Sequence, residues 1–185
     1  MNKTLNRSQK AFIDALLALM KEKAYSDITI TELSERAQYD RRTYYRYFDN
    51  KDEGLYLYCA ALLSDMAEIM TDKGEYTPKA GFLAFFEFWE QHKDLLAMLE
   101  KQGLLYFLGE KLGDLLYDNV GQTVHDDLPE KFGDNSAFSQ YAYYFTLGGL
   151  WTSLTLWIKS GMKQTASELT DYVLRSFTEM NRLIG

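Results

Sequence analysis

The chain is 185 residues long, 46% hydrophobic, with a net charge of −7 and one cysteine. That length supports one or two small domains with a real core. A lone Cys59 excludes an internal disulfide and points to a reducing cytoplasm. No stretch is apolar enough to span a bilayer, and Asp14 interrupts the run from Phe12 to Met20, so a signal peptide is not expected.

The charge is unevenly spread. Residues 1–51 hold ten Lys/Arg against seven Asp/Glu, whereas the remainder holds ten against twenty. Only the amino-terminal quarter is therefore expected to face phosphate.

Two prolines and few β-branched runs indicate an all-α chain of about nine helices. After a polar arm over 1–7, Phe12, Ala15, Leu16, Leu19 and Met20 recur at helical spacing, predicting a first helix over 8–23. Ile28 and Ile30 plug a small core. Thr29 with Glu32 three residues on is a capping box that opens a second helix over 30–37. Asp40 caps a third over 41–47.

Leu33 and Ala37 lie four apart, as do Tyr44 and Phe48, so the two short helices can pack through them. Arg41, Arg42, Tyr45 and Arg46 are left outside. A short helix showing guanidiniums and a phenol, braced by another, suits a DNA major groove. Arginine reads guanine edges or holds phosphate, and Tyr or Thr hydroxyls reach phosphate. The candidate DNA contacts are Thr29, Thr31, Arg41, Arg42, Thr43, Tyr45, Tyr47 and Lys51.

These residues resemble the signature of TetR-type transcriptional regulators. Thr29, Leu33, Ala37, Thr43, Tyr45, Phe48 and Lys51 stand at the matching places. Three positions depart from it: Gln38 replaces the usual turn glycine, Tyr39 a valine and Tyr47 a histidine. A positive φ at Gln38 carries about 1 kcal/mol of strain. The resemblance implies a three-helix DNA-binding head over 1–51 and a helical regulatory and dimerisation domain over 52–185.

Asn50 and Glu53 cap a fourth helix that runs to about 71 and covalently joins the two parts. Lys51 in its first turn is placed to grip phosphate. Further helices are expected over 79–91, 93–101, 104–127, 137–160 and 166–183, with loops around Pro78 and Pro129. The 137–160 helix is apolar on more than one side, which predicts burial nearly all round. Gly148-Gly149 suggests close approach by a neighbouring helix, and Gly161 a carboxy-terminal cap.

In TetR-type proteins the last two helices pair with a second subunit's as a four-helix bundle. The resemblance thus implies a homodimer through Leu147, Leu150, Trp151, Leu154, Ile158, Val173, Phe177 and Met180. It also implies an effector site among the aromatic helices. Phe85, Trp89, Tyr117, Tyr141 and Tyr144 are the candidates, each with a flat face and most with a polar handle. Plain core packing is the competing fate of these rings.

His92 and His125 lack metal-ligand spacing, and no nucleophile motif or phosphate-cradling loop is present, so neither a cofactor nor an enzyme is expected. The sequence reading is a dimeric repressor released from a palindromic operator by an effector. The alternative is a regulator or co-activator of the same fold whose effector is a partner protein.

Overall fold

A computed structural model describes the backbone of residues 5–71, 77–116 and 136–184. Among the described residues the chain is all-helical, with nine α-helices, one 3-10 turn and no strand. The helices are α1 (Arg7–Glu22), α2 (Ile30–Ala37), α3 (Arg41–Tyr45), α4 (Lys51–Thr71) and α5 (Pro78–Gln91). They continue with α6 (Lys93–Lys101), α7 (Tyr106–Leu116), α8 (Ser136–Lys159) and α9 (Ala166–Ile184). The expected extension of α7 over 117–127 lies outside the described residues.

Two compact units form. One comprises residues 1–65 with 98–112, the other 66–97 with 113–185. The expected functional boundary after Lys51 falls inside the first.

In the first unit, α1 starts at a capping box that its apolar stripe does not reveal. Asn6 accepts from the Gln9 N–H at 3.0 Å, and the Gln9 side chain accepts from Asn6 N–H at 3.1 Å. This sets the helix start one residue earlier than its apolar stripe implies. Phe12, Ile13, Leu16 and Met20 are buried, and α2 packs along this face.

At the start of α4, Asn50 accepts from the Glu53 N–H at 3.1 Å. The Glu53 carboxylate accepts from Asp49 N–H at 2.7 Å, so the expected cap is present. Cys59 lies fully buried on α4, and burial pushes its thiol up to about 12. Burial thus disfavours the thiolate form.

In the second unit, α5 packs along α9, and Phe82 stacks on Phe177 at 6.0 Å. Phe85, Phe86 and Trp89 are fully buried on α5. Helix α8 buries only part of its circumference: Leu147, Leu150, Leu154, Trp157 and Ile158 face inward. Its end is the expected glycine cap, with Gly161 at φ +84°.

Candidate nucleic-acid interface

The interface is built on two capped helices and a strained turn. Thr29 Oγ1 accepts from Glu32 N–H at 3.3 Å, and the Glu32 carboxylate accepts from Thr29 N–H at 3.0 Å. The Lys23 ammonium also bonds Glu32; with the Thr29 donors it holds that carboxyl at about 2. Gln38 ends α2 at φ 60° and ψ 38°, the left-handed conformation expected at this turn. The Tyr39 N–H reaches Ser34 O at 3.0 Å and closes the turn.

Asp40 then caps α3, accepting from Thr43 N–H at 2.6 Å. That bond, with lesser help from Arg42 and Arg46, holds its carboxyl below the ordinary range. Helix α3 ends two residues before the expected Tyr47. Tyr47 N–H bonds Tyr44 O in an i to i+3 pattern at 2.9 Å, tightening the last turn.

The inward side of α3 is aromatic. Tyr44 meets Phe12 edge-to-face at 5.1 Å and lies tilted against Phe48 at 5.2 Å, and all three are buried with Leu33 and Ala37. Edge-to-face packing of this kind adds about 0.5–1.5 kcal/mol per pair beyond burial.

The outward side is basic and phenolic. Arg41, Arg42 and Arg46 are exposed, Tyr45 is 49% exposed, and Thr43 and Tyr47 are half-buried. Asp40, Arg42, Thr43, Tyr45 and Arg46 line one open concavity. The Arg46 guanidinium carbon lies 4.9 Å from the Tyr47 ring centre, and an N–H reaches its hydroxyl at 3.3 Å. Thr29 and Thr31 are exposed at the start of α2.

Lys51 is half-buried. Its ammonium donates to the main-chain oxygens of Tyr25, Ser26 and Ile28, and lies 4.5 Å from the Tyr25 ring centre. A lysine has three donors, and here all three have internal acceptors.

The candidate effector residues are not all brought together. Phe85 and Trp89 meet at 6.3 Å in the core, and the buried Trp89 indole N–H has no acceptor among the described residues. Tyr141 is 79% exposed on α8, so it does not line that interior. Tyr117 and the Tyr144 side chain lie outside the described residues. His92 sits at the end of α5 with Nδ1 2.7 Å from Phe88 O, a capping position. Among the described residues no His, Cys, Asp and Glu side chains cluster as metal ligands.

The candidate dimer residues also divide. Leu147, Leu150, Leu154 and Ile158 are buried in this chain's own core, so they are not a free surface. Trp151 and Val173 are half-buried, Phe177 is exposed, and the Met180 side chain lies outside the described residues. The outer face of α8 instead carries Tyr141, Phe145 (63% exposed) and Leu156 (68% exposed). Gly148 and Gly149 lie between them with open space where a Cβ would project, so no helix among the described residues crosses there. The sequence misses this face because α8 is apolar on both sides.

Residues 12–55 match the family described as bacterial regulatory proteins, tetR family. Residues 76–179 match a family described as transcriptional regulator C-terminal region. A helix-turn-helix head followed by a helical regulatory region defines a class of transcription regulators. The chain belongs to the TetR family of that class.

A relative is the HTH-type dhaKLM operon transcriptional activator DhaS of Lactococcus lactis subsp. lactis (strain IL1403). It is 32% identical over 69 residues, which are 37% of this chain and 35% of that protein. Among solved structures, a dihydroxyacetone kinase operon activator DhaS superposes with a TM-score of 0.59 at 17% identity, covering 96% of this chain and 97% of that one. The fatty acid degradation regulator FadR from Bacillus halodurans gives 0.60 at 18% identity, covering 89% and 94%. A tetR-family transcriptional regulator from Streptomyces coelicolor gives 0.62 at 16% identity, covering 95% and 83%. At these identities the superpositions establish the fold alone. Among the described residues no helix is long and apolar enough to cross a membrane.

Proposed function

We propose that the protein is a cytoplasmic, non-enzymatic regulator that binds a palindromic operator as a homodimer and leaves it when an effector binds. The head, residues 1–51, places α3 in the major groove. Arg41, Arg42, Tyr45 and Arg46 meet base edges and phosphates, with Thr43, Tyr47, Thr29 and Thr31 along the backbone. The observation that carries this reading is the two-sided build of α3. Its apolar rings are locked inward on Phe12, and that leaves an outward face of guanidiniums and a phenol.

Residues 52–185 form the regulatory and dimerisation part. The exposed α8 face of Tyr141, Phe145, Gly148, Gly149 and Leu156, with Phe177 on α9, supports pairing with a second copy. Glycines with open space above them let a partner helix approach closely. A two-fold pair presents two heads to half-sites about one helical turn apart. The Trp89 N–H, with no acceptor among the described residues and beside Phe85, supports a small effector that carries an acceptor oxygen on an apolar body. Such an effector shifts the heads only by its difference in affinity for their two arrangements.

Repression follows sterically when the operator overlaps a promoter. A second reading, activation, is favoured by the likeness to the Lactococcus activator. In it the effector is a partner protein rather than a small molecule. Deleting the gene and measuring transcripts beside its bound sites separates the two: they rise for a repressor and fall for an activator. Bound sites whose transcripts stay unchanged would refute a regulatory role.

A further inference from the structure

Gln102 follows the last turn of α6, and Gly103 after it takes φ +70°. Gly103 N–H bonds Glu100 O at 3.0 Å and Leu104 N–H bonds Leu99 O at 2.8 Å, so the turn into α7 is a built helix stop. That stop fixes where the Gln102 carboxamide sits.

Every part of the carboxamide is used on the head. Nε2 donates to Met20 O and Lys23 O, each at 3.0 Å. Oε1 accepts from Tyr25 N–H at 2.9 Å. Met20 O and Lys23 O belong to the end of α1, where carbonyls lack intrahelical donors. One side chain, 77 residues away from Tyr25 in sequence, therefore caps the helix on which the head's core is built.

The same short turn is held from its other side. Lys51 donates to the Tyr25, Ser26 and Ile28 oxygens, and the Tyr25 hydroxyl donates to Asp52 at 2.6 Å. Tyr25 itself is buried. The segment between α1 and α2 is thus clamped by the start of α4 and by the α6–α7 turn together. Apart from the Tyr25–Asp52 bond, both grips are on main-chain atoms, so they act chiefly on backbone position.

We propose that Gln102 is a positioning residue for DNA binding, setting through the Tyr25–Asp27 turn the angle at which the head presents α3. The proposal rests on the reading that the head binds an operator. Its consequence is that α4 is not the sole guide of the head: displacing the α6–α7 turn withdraws three hydrogen bonds from it at once. Glutamine is specific here. Leucine of similar size fills the space without any of the bonds, and glutamate keeps the acceptor but sets an anion against two carbonyls.

The experiment uses the full chain as Gln102→Leu and Gln102→Glu, with an operator recovered by selection from genomic DNA. Binding is measured to that operator and to a copy with one base pair inserted between its half-sites. Gln102→Leu should bind the native operator about tenfold more weakly, from the loss of net hydrogen-bond stabilisation. It should keep the wild-type salt dependence and discriminate less against the inserted copy. A role in stability alone would lower the melting point without changing that spacing preference. Wild-type affinity and wild-type spacing preference in Gln102→Leu would overturn the proposal while leaving the DNA-binding reading intact. If Gln102→Leu does not fold, Gln102→Glu is judged by the same criterion. Failure of the wild-type protein to select any DNA would instead remove the reading on which the proposal rests.

Discussion

The hydroxyl of Tyr44 donates to the main-chain oxygen of Asn50 at 2.9 Å, and ties α3 to the residue before α4. Burial, with Glu53 nearby, pushes that phenol above its ordinary value, so it stays a donor throughout the neutral range. The next residue, Tyr45, meets the Tyr44 ring edge-on at 5.7 Å and turns outward. Adjacent tyrosines thus have opposite tasks.

Their variants should separate stability from binding. Tyr44→Phe removes one buried hydrogen bond and should cost about 1 kcal/mol in chemical denaturation, with operator binding retained. Tyr45→Ala should change stability by less than about 0.5 kcal/mol and abolish operator binding. Equal effects of the two changes on binding would contradict the two-sided build of α3.

Salt dependence distinguishes residues that touch phosphate from residues that hold the head in shape. Arg42→Ala should lower the slope of log affinity against log salt by about one, if Arg42 neutralises one phosphate. Lys51→Gln should weaken binding with the slope unchanged, because the Lys51 ammonium is already spent on three carbonyls. Titrations of both variants against the wild type check this. A Lys51 variant whose slope drops by one would return that residue to the phosphate contacts.

Much of the head was legible in the sequence because its signals are local. The Thr29–Glu32 box, the Asp40 cap, the left-handed turn at Gln38 and the inward Tyr44–Phe48 pair all depend on spacings of a few residues. The role of Lys51 was not legible, since it depends on the 25–28 turn folding back beside α4. Gln102 gave no signal for the same reason. The outer face of α8 failed differently: with leucines on one side and Tyr141, Phe145 and Leu156 on the other, periodicity cannot say which side this chain's own core takes.

Acid should loosen the head before neutral pH does. Glu32 is held at about 2 against an ordinary 4.5, and Glu22, bonded by Arg36, and Asp40 are also depressed. The unfolded chain binds these protons more readily, so their stabilisation is complete above about pH 4.5 and fades as pH falls toward 2. Glu22 and Asp40 are exposed and Glu32 is half-buried, so added salt should shrink the effect. Denaturation midpoints between pH 7 and pH 2 test it: Glu32→Gln should flatten the decline, and an unchanged decline would exclude Glu32 as a source.

The proposed pairing face predicts which α8 substitution breaks the dimer. Phe145→Glu puts a carboxylate on the exposed side and should give a folded monomer in sedimentation. Leu154→Ala truncates a residue at 0% exposure, so it should cost about 2–5 kcal/mol of stability and leave the dimer assembled. A Phe145→Glu chain that sediments at the wild-type mass would move the interface elsewhere.

Selection of genomic DNA fragments by the purified protein tests the central claim most directly, with Arg42→Ala and Tyr45→Ala in parallel. The wild type should enrich fragments that share an inverted repeat with half-sites about one helical turn apart, and the two variants should enrich none. No enrichment by the wild type, or the same fragments recovered equally by all three proteins, would contradict the assignment of α3 as the DNA-reading element.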